Sequence, residues 1–254
     1  MVAIIKEALL VVWEKRLALF RALMVTGLVL ATLDAVQNHV LKNLGWVSLL
    51  FLNVVLNGLV FTLFAVTCHR IVLLGETSVP KYGLLSWTSR ETRFLGWGVV
   101  TFLYALLILG PVMLVVFVGT FTDIPFVKGY EKCWAFLGAV PVIYVLVRLG
   151  LLFPATAVGE RRNTDWAFHT TAKNGWRLMV ATSLIPVSFG VVISALPIDH
   201  NLLTDFLVRL VGCAFTAIGI VALSLSFRFL SSESPGEVGV SPTSQPTASP
   251  TGSS

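Results

Sequence analysis

Residues 94–122, FLGWGVVTFLYALLILGPVMLVVFVGTFT, contain no charged side chain. A helix of about 20 apolar residues crosses the hydrocarbon core of a bilayer with every backbone amide satisfied inside the segment. Working outward from this stretch, charge-free runs recur at 44–68, 178–198 and 210–227. Two further runs hold one arginine each: 17–36, with Arg21 in its first turn, and 134–156, with Arg148 toward its later half. Long basic stems reach from such positions to the membrane surface, so both runs are read as spans. The expected fold is an all-α polytopic transmembrane bundle of about six spans, at 17–36, 44–68, 94–122, 134–156, 178–198 and 207–227. Pro111, Pro141 and Pro186 fall inside spans three, four and five, where neighbouring helices can satisfy the freed carbonyls.

Composition points the same way. Of 254 residues, 56% are apolar and 12% charged, with a mean hydropathy of +0.86. An ordinary soluble domain carries about one-quarter charged residues, so a soluble globular fold is excluded. In a soluble chain a net charge of +5 would suggest nucleic acid. Here the basic residues lie between apolar segments, where they set orientation, and no nucleic-acid partner is expected. Cys68, Cys133 and Cys213 show no C-x-x-C and no zinc-like spacing to His, so free thiols are expected and a Cys133–Cys213 bridge is not.

Thirteen of the eighteen Lys and Arg fall in the N-terminal segment, the loops after spans two and four, and the end of span six. Four fall on the opposite side, with Arg148 counted as intramembrane. The positive-inside rule then places both termini in the cytoplasm. Trp13, Trp87, Trp97, Trp166 and Trp176 belong at the inner boundary and Trp46 and Trp134 at the outer one, as an aromatic belt requires. Residues 1–16 are expected to form an interfacial amphipathic helix, with Lys6, Glu7, Glu14 and Arg21 in one sector; a plain extension of the first span is the alternative. The charges in this segment and the lack of a small-x-small cleavage site argue against a removable signal. Residues 231–254 are rich in Ser, Pro and Thr and are expected to be disordered.

The inner loops are expected to be partly helical. In 157–177, Asn163 and Thr164 are placed to cap a short helix through Trp166 and His169, which Asn174-Gly175 would end in a left-handed turn. The two loops also echo each other. Arg70 is followed by Trp87 and Arg90, Arg148 by Trp166 and His169, and each loop holds a Gly-Glu pair, Gly75-Glu76 and Gly159-Glu160. A parallel repeat and chance similarity of two basic loops account for this equally well.

The stretch from Arg148 through Leu-Gly-Leu-Leu-Phe-Pro-Ala-Thr-Ala-Val to Gly159, then Trp166-Ala and Lys173-Asn-Gly-Trp-Arg-Leu178, resembles an inner-loop signature. It is that of uncharacterised bacterial six-helix integral membrane proteins related to the membrane domain of glycerophosphoryl diester phosphodiesterases. The resemblance covers about the last two thirds of the helical region and implies a bacterial inner-membrane protein. In the fused members a separate soluble barrel performs the hydrolysis. This chain has neither the length nor the carboxylate and His positions for that barrel, so the resemblance implies no hydrolase activity.

No Walker loop, G-x-S-x-G, H-E-x-x-H or dinucleotide fingerprint occurs, and no enzymatic activity, cofactor or metal is expected. His39, His200, Asp34 and Asp199 are read as exposed outer residues rather than as ligands. Intramembrane polar side chains carry more information, because each costs free energy unless partnered. Asn53 and Asn57 lie four apart on one face of span two, either as interhelical glue, the preferred reading, or as a solute-facing lining. Arg148 is expected to reach toward phosphates from about two turns inside the boundary. Gly190 with Ser194 and Gly212 with Thr216 have the spacing of close helix packing. Arg161, Arg162, Lys173 and Arg177, flanked by Trp166 and Trp176, with Arg70, Arg90 and Arg93, form the candidate surface for anionic lipid head groups; the bland alternative is that they only set topology. Two function classes follow: a non-enzymatic protein of membrane organisation that meets lipids or other membrane proteins, and a small-solute or lipid transporter.

Overall fold

The computed structural model describes residues 2–37, 47–80, 87–121, 131–197 and 201–232. Among these are nine α-helices and no strand: α1 (Val2–Glu14), α2 (Arg16–Val36), α3 (Val47–Leu74), α4 (Ser89–Phe121), α5 (Glu131–Gly150), α6 (Leu152–Ala157), α7 (Thr164–Thr170), α8 (Gly175–Ala195) and α9 (Leu202–Ser232). The fold is an all-α helical bundle. Among the described residues five helices are long and apolar enough to cross a membrane, at Arg16–Val36, Phe51–Leu74, Ser89–Gly119, Gly138–Ala157 and Leu202–Ser232. The 21-residue α8 stands where the fifth span is expected. This is a membrane protein.

Six long helices pair in chain order as three antiparallel hairpins: α2 with α3, α4 with α5, and α8 with α9. Each hairpin touches the next, and α9 returns to α2, closing a ring in which α9 also lies against α3. Sequence order explains the arrangement, since short connections make consecutive helices antiparallel neighbours. The second helix of every hairpin carries an arginine near its end: Arg70, Arg148 and Arg228. These mark one end of the ring, called here the basic end.

The densest core lies toward that end. It joins Leu19, Ala22 and Leu23 of α2, Phe64 to Val72 of α3, Phe94 of α4 and Ala217 to Leu225 of α9. The short α6 is buried except at Phe153, with Leu152, Pro154, Ala155, Thr156 and Ala157 all inside. It packs against α3, α4, α5 and α9 and so plugs the basic end of the ring. A Schellman cap ends it: Glu160 N–H donates to Ala155 O at 2.9 Å and Gly159 N–H to Thr156 O at 3.0 Å. Gly159 has φ +92°, a conformation that a Cβ would strain. The far part of α4, by contrast, is broadly exposed, with Leu107, Leu114, Phe117 and Phe121 outward, as a lipid-facing helix is.

Several boundaries differ from the expected ones. α3 continues to Leu74, α4 starts at Ser89 and α9 runs to Ser232. Arg70, Arg90 and Arg93 therefore sit on helices rather than in the loop. Charge limits how far a helix stays in hydrocarbon, not how far it stays helical. The fourth span runs from Gly138 to Ala157, with Leu151, itself at helical φ −64° and ψ −18°, joining α5 to α6. Asn163 caps α7 as expected, its Oδ1 accepting from Trp166 N–H at 2.9 Å. Asn174-Gly175 does not end that helix: α7 stops at Thr170, Asn174 is the N-cap of α8 and Gly175 its first residue. Gly175 is small because a Cβ there would stand 2.9 Å from Tyr144 Oη. Gly212 meets Phe189 of α8, whereas Gly190 meets nothing within 4 Å, so only the first is a close-packing point.

The N-terminal helix forms as expected but does not simply lie on a surface. Ala8 is fully buried, Val11 and Val12 pack on the core, and α1 rests against α9. Only Lys15 separates it from α2, and backbone bonds from Lys15 N–H to Val11 O and from Leu19 N–H to Lys15 O, both 2.9 Å, run through the junction. α1 thus follows on α2 through a single residue, with Leu9, Leu10 and Trp13 exposed. The tail from 233 onward and the Cys133 side chain lie outside the described residues; Cys68 and Cys213 are free thiols.

Candidate functional site

The basic end gathers the cationic side chains singled out in the sequence, and the structure divides them into two sets. One set is consumed internally. Arg70 donates through Nε and a terminal amino group to Ser78 O, at 3.2 and 2.8 Å, and Ser78 Oγ points back to Gly75 O at 2.6 Å. Gly75, at φ +92°, makes the turn that lets the chain fold under its own helix. Lys15 Nζ donates to Ile71 O at 2.9 Å, on the carbonyl end of α3 where a cation is favoured. Arg162 pairs with Glu160 at 3.0 Å and lies 5.1 Å over the Trp166 ring. Arg228 pairs with Glu7 of α1 at 3.1 Å.

Arg148 belongs to the same set. Its Nε donates to Thr171 Oγ1 at 2.7 Å and a terminal amino group donates to Phe168 O. Its guanidinium lies over the rings of Phe168 and Tyr144, at 4.8 and 5.5 Å. It grips the carbonyl end of α7 instead of extending toward phosphates. A planar fork meets two acceptors without the desolvation that an unpartnered charge would suffer.

The other set is open. Arg161, Lys173 and Arg177 are exposed, as is Trp176; among the described residues Arg177 donates to Asn174 Oδ1 alone, at 3.5 Å. Arg90 and Arg93 are half-buried on the first turns of α4. The structure thus brings Lys173, Trp176 and Arg177 to one corner between α7 and α8, with Arg161 at the other end of α7, while Arg70 is committed elsewhere.

Asn53 and Asn57 part ways too. Asn53 is buried and its amide donates to Gln37 Oε1 at 2.7 Å and toward Leu33 O at 3.4 Å, tying α3 to the end of α2. Asn57 donates to the Asn53 carbonyl of its own helix at 3.2 Å. Among the described residues no cluster of His, Cys, Asp or Glu is arranged to hold a metal. Asp34 pairs with Arg209 across α2 and α9; His39, Asp199 and His200 lie outside the described residues.

Two buried ionisable side chains, His69 and Glu91, escaped the sequence reading. His69 on α3 is 1% exposed, and its Nδ1 lies 2.7 Å from Ser224 Oγ on α9. Ser224 gives its own proton to Ile220 O at 2.9 Å, so the His69 Nδ1–H is the donor. The Phe94 ring stands 6.0 Å away. Glu91 is equally buried and accepts from the Thr88 backbone N–H at 2.8 Å and from the Thr88 hydroxyl, which in turn accepts from Arg90 N–H at 3.3 Å; this is the carboxylate half of a capping box at the start of α4. The Thr88-x-x-Glu91 spacing was the available signal. His69 lies between Cys68 and Arg70, one residue past the charge-free run 44–68.

No family model, curated protein or solved structure matches this chain.

Proposed function

We propose that this is a non-enzymatic integral membrane protein that engages anionic lipid head groups at its basic end and serves membrane organisation. The observation that carries this reading is the division of the basic residues: Arg70, Arg148 and Arg162 are spent on internal bonds, while Arg161, Lys173 and Arg177 stay exposed beside Trp176. Side chains needed only for orientation during insertion have no reason to collect beside an interfacial aromatic. The buried polar groups act as ties between helices, Asn53 to α2 and His69 to α9, which supports packing over a solute path. In this reading the basic end faces the cytoplasm, both termini lie there, and the membrane is a bacterial inner membrane. The last point rests on the resemblance of residues 148–178 to the membrane domain named above, a kinship proposed on those residues alone.

The test replaces Arg161, Lys173 and Arg177 together by Gln and compares co-purifying lipids with the parent at equal salt. The anionic fraction is expected to fall. An unchanged fraction defeats the lipid reading.

A further inference from the structure

We propose that Arg148 is the positioning residue of an anionic-phospholipid site at the corner between α7 and α8, where Lys173 and Arg177 meet the head group and Trp176 sits beside them. The inference rests on the lipid reading above and assigns its place and its support.

The corner is built on the end of α5. Thr171, the first residue after α7, is fully buried. It accepts from Arg148 Nε at 2.7 Å and donates to Ala167 O at the same distance. Phe168 is held twice by Arg148, through its carbonyl and through its ring. Four residues on, Gly175 lies against Tyr144, which is itself one turn from Arg148 on α5 and also under its guanidinium. Both ends of the turn 171–175 are therefore fastened to one helix, which fixes where Lys173, Trp176 and Arg177 project. Loosely tethered lysines attract a charged surface; a fixed pair beside an aromatic holds one lipid.

Charge and placement select the occupant. Among the described residues no carboxylate forms an ion pair with Lys173 or Arg177, whereas Arg162 has Glu160 and Arg228 has Glu7. Trp176 is 60% exposed at the first turn of a helix that continues with Leu178, Met179 and Val180. An indole at the meeting of basic and apolar surface suits the glycerol depth of a phospholipid, with its phosphate above. Each basic contact with an anionic head group is worth about a fivefold change in retention.

The full chain in nanodiscs of phosphatidylcholine, with or without phosphatidylglycerol, tests this by thermal unfolding and by retained lipid. In the parent, phosphatidylglycerol is expected to raise Tm. Lys173→Gln with Arg177→Gln should remove that rise and lower retained phosphatidylglycerol by at least about fivefold. Arg148→Ala should also remove the rise, and Arg148→Lys should restore part of it. If Arg148→Ala does not fold, Thr171→Val cuts the same latch and carries the same expectation. A uniform fall of Tm in both lipids, with the phosphatidylglycerol-dependent rise intact, makes Arg148 merely structural and overturns its role, leaving the lipid reading standing. Retention of the rise in the Lys173/Arg177 variant removes the lipid reading itself. An equal rise with inorganic phosphate in place of phosphatidylglycerol overturns the assignment to lipid.

Discussion

At the residue scale, two asparagines one turn apart do different work, because their donors find different acceptors. Asn53 reaches another helix, and Asn57 reaches back to its own. Interhelical hydrogen bonds inside membranes are worth about 0.6 kcal/mol on average and up to about 1.7 kcal/mol. Asn53→Leu is accordingly expected to lower stability in detergent by about 1 kcal/mol, and Asn57→Leu by no more than a few tenths, as read from thermal unfolding of the purified variants. Equal effects would contradict the partner assignment. Gly175 offers a second measurement. An added methyl must displace the Tyr144 hydroxyl, and overpacking of this kind costs about 1–3 kcal/mol. Gly175→Ala should show it, and Gly175→Ala with Tyr144→Phe should recover part of it, because the closest atom is the hydroxyl oxygen.

Elements begin and end for backbone reasons that hydropathy does not report. The apolar run 94–122 was legible because no soluble alternative could use it, and so was the order of the long helices. The five extra residues at the start of α4 were not, because Arg90, Glu91 and Arg93 read as loop by charge. What starts the helix is the pair of bonds that Thr88 donates to the Glu91 carboxylate, with the Thr88 hydroxyl also accepting from Arg90 N–H. Thr88→Ala removes the hydroxyl that this carboxylate meets and is expected to cost about 0.5–2 kcal/mol, with fraying of the first turn visible as faster amide exchange at 89–92. Among the candidate site residues, identities were legible and allegiances were not. Arg70 and Arg162 looked like Arg161 and Arg177, since a one-dimensional pattern cannot say which guanidinium finds a carbonyl or carboxylate first. The burial of the last turns of the fourth span as a plug was likewise silent, as Leu-Leu-Phe-Pro suits a lipid-facing turn as well as a buried one.

At the scale of the whole molecule, the three hairpins present their arginine-bearing ends together. Reporter fusions after Lys42, Lys128 and Asn201 should read outside the cell, and fusions after Lys81, Asn163 and Ser232 inside, as the thirteen-to-four division of basic residues requires. Reversal at two of these sites would sink the proposed orientation. The ring is also closed by partners at opposite ends of the chain: Glu7 meets Arg228, Asp34 meets Arg209, and α2 is walled on one side by α9. Biosynthesis runs from the N-terminus, so the first hairpin enters the bilayer long before its last neighbour leaves the ribosome. Until then the α9 flank of the first hairpin has only lipid or an insertion chaperone to cover it, including Cys68, which later rests against Ala217 O. A chain stopped at residue 200 should consequently be cleared by membrane proteases, and, with Cys133 and Cys213 replaced by Ser, its Cys68 should react with a lipid-soluble maleimide that leaves Cys68 of the full-length chain unlabelled.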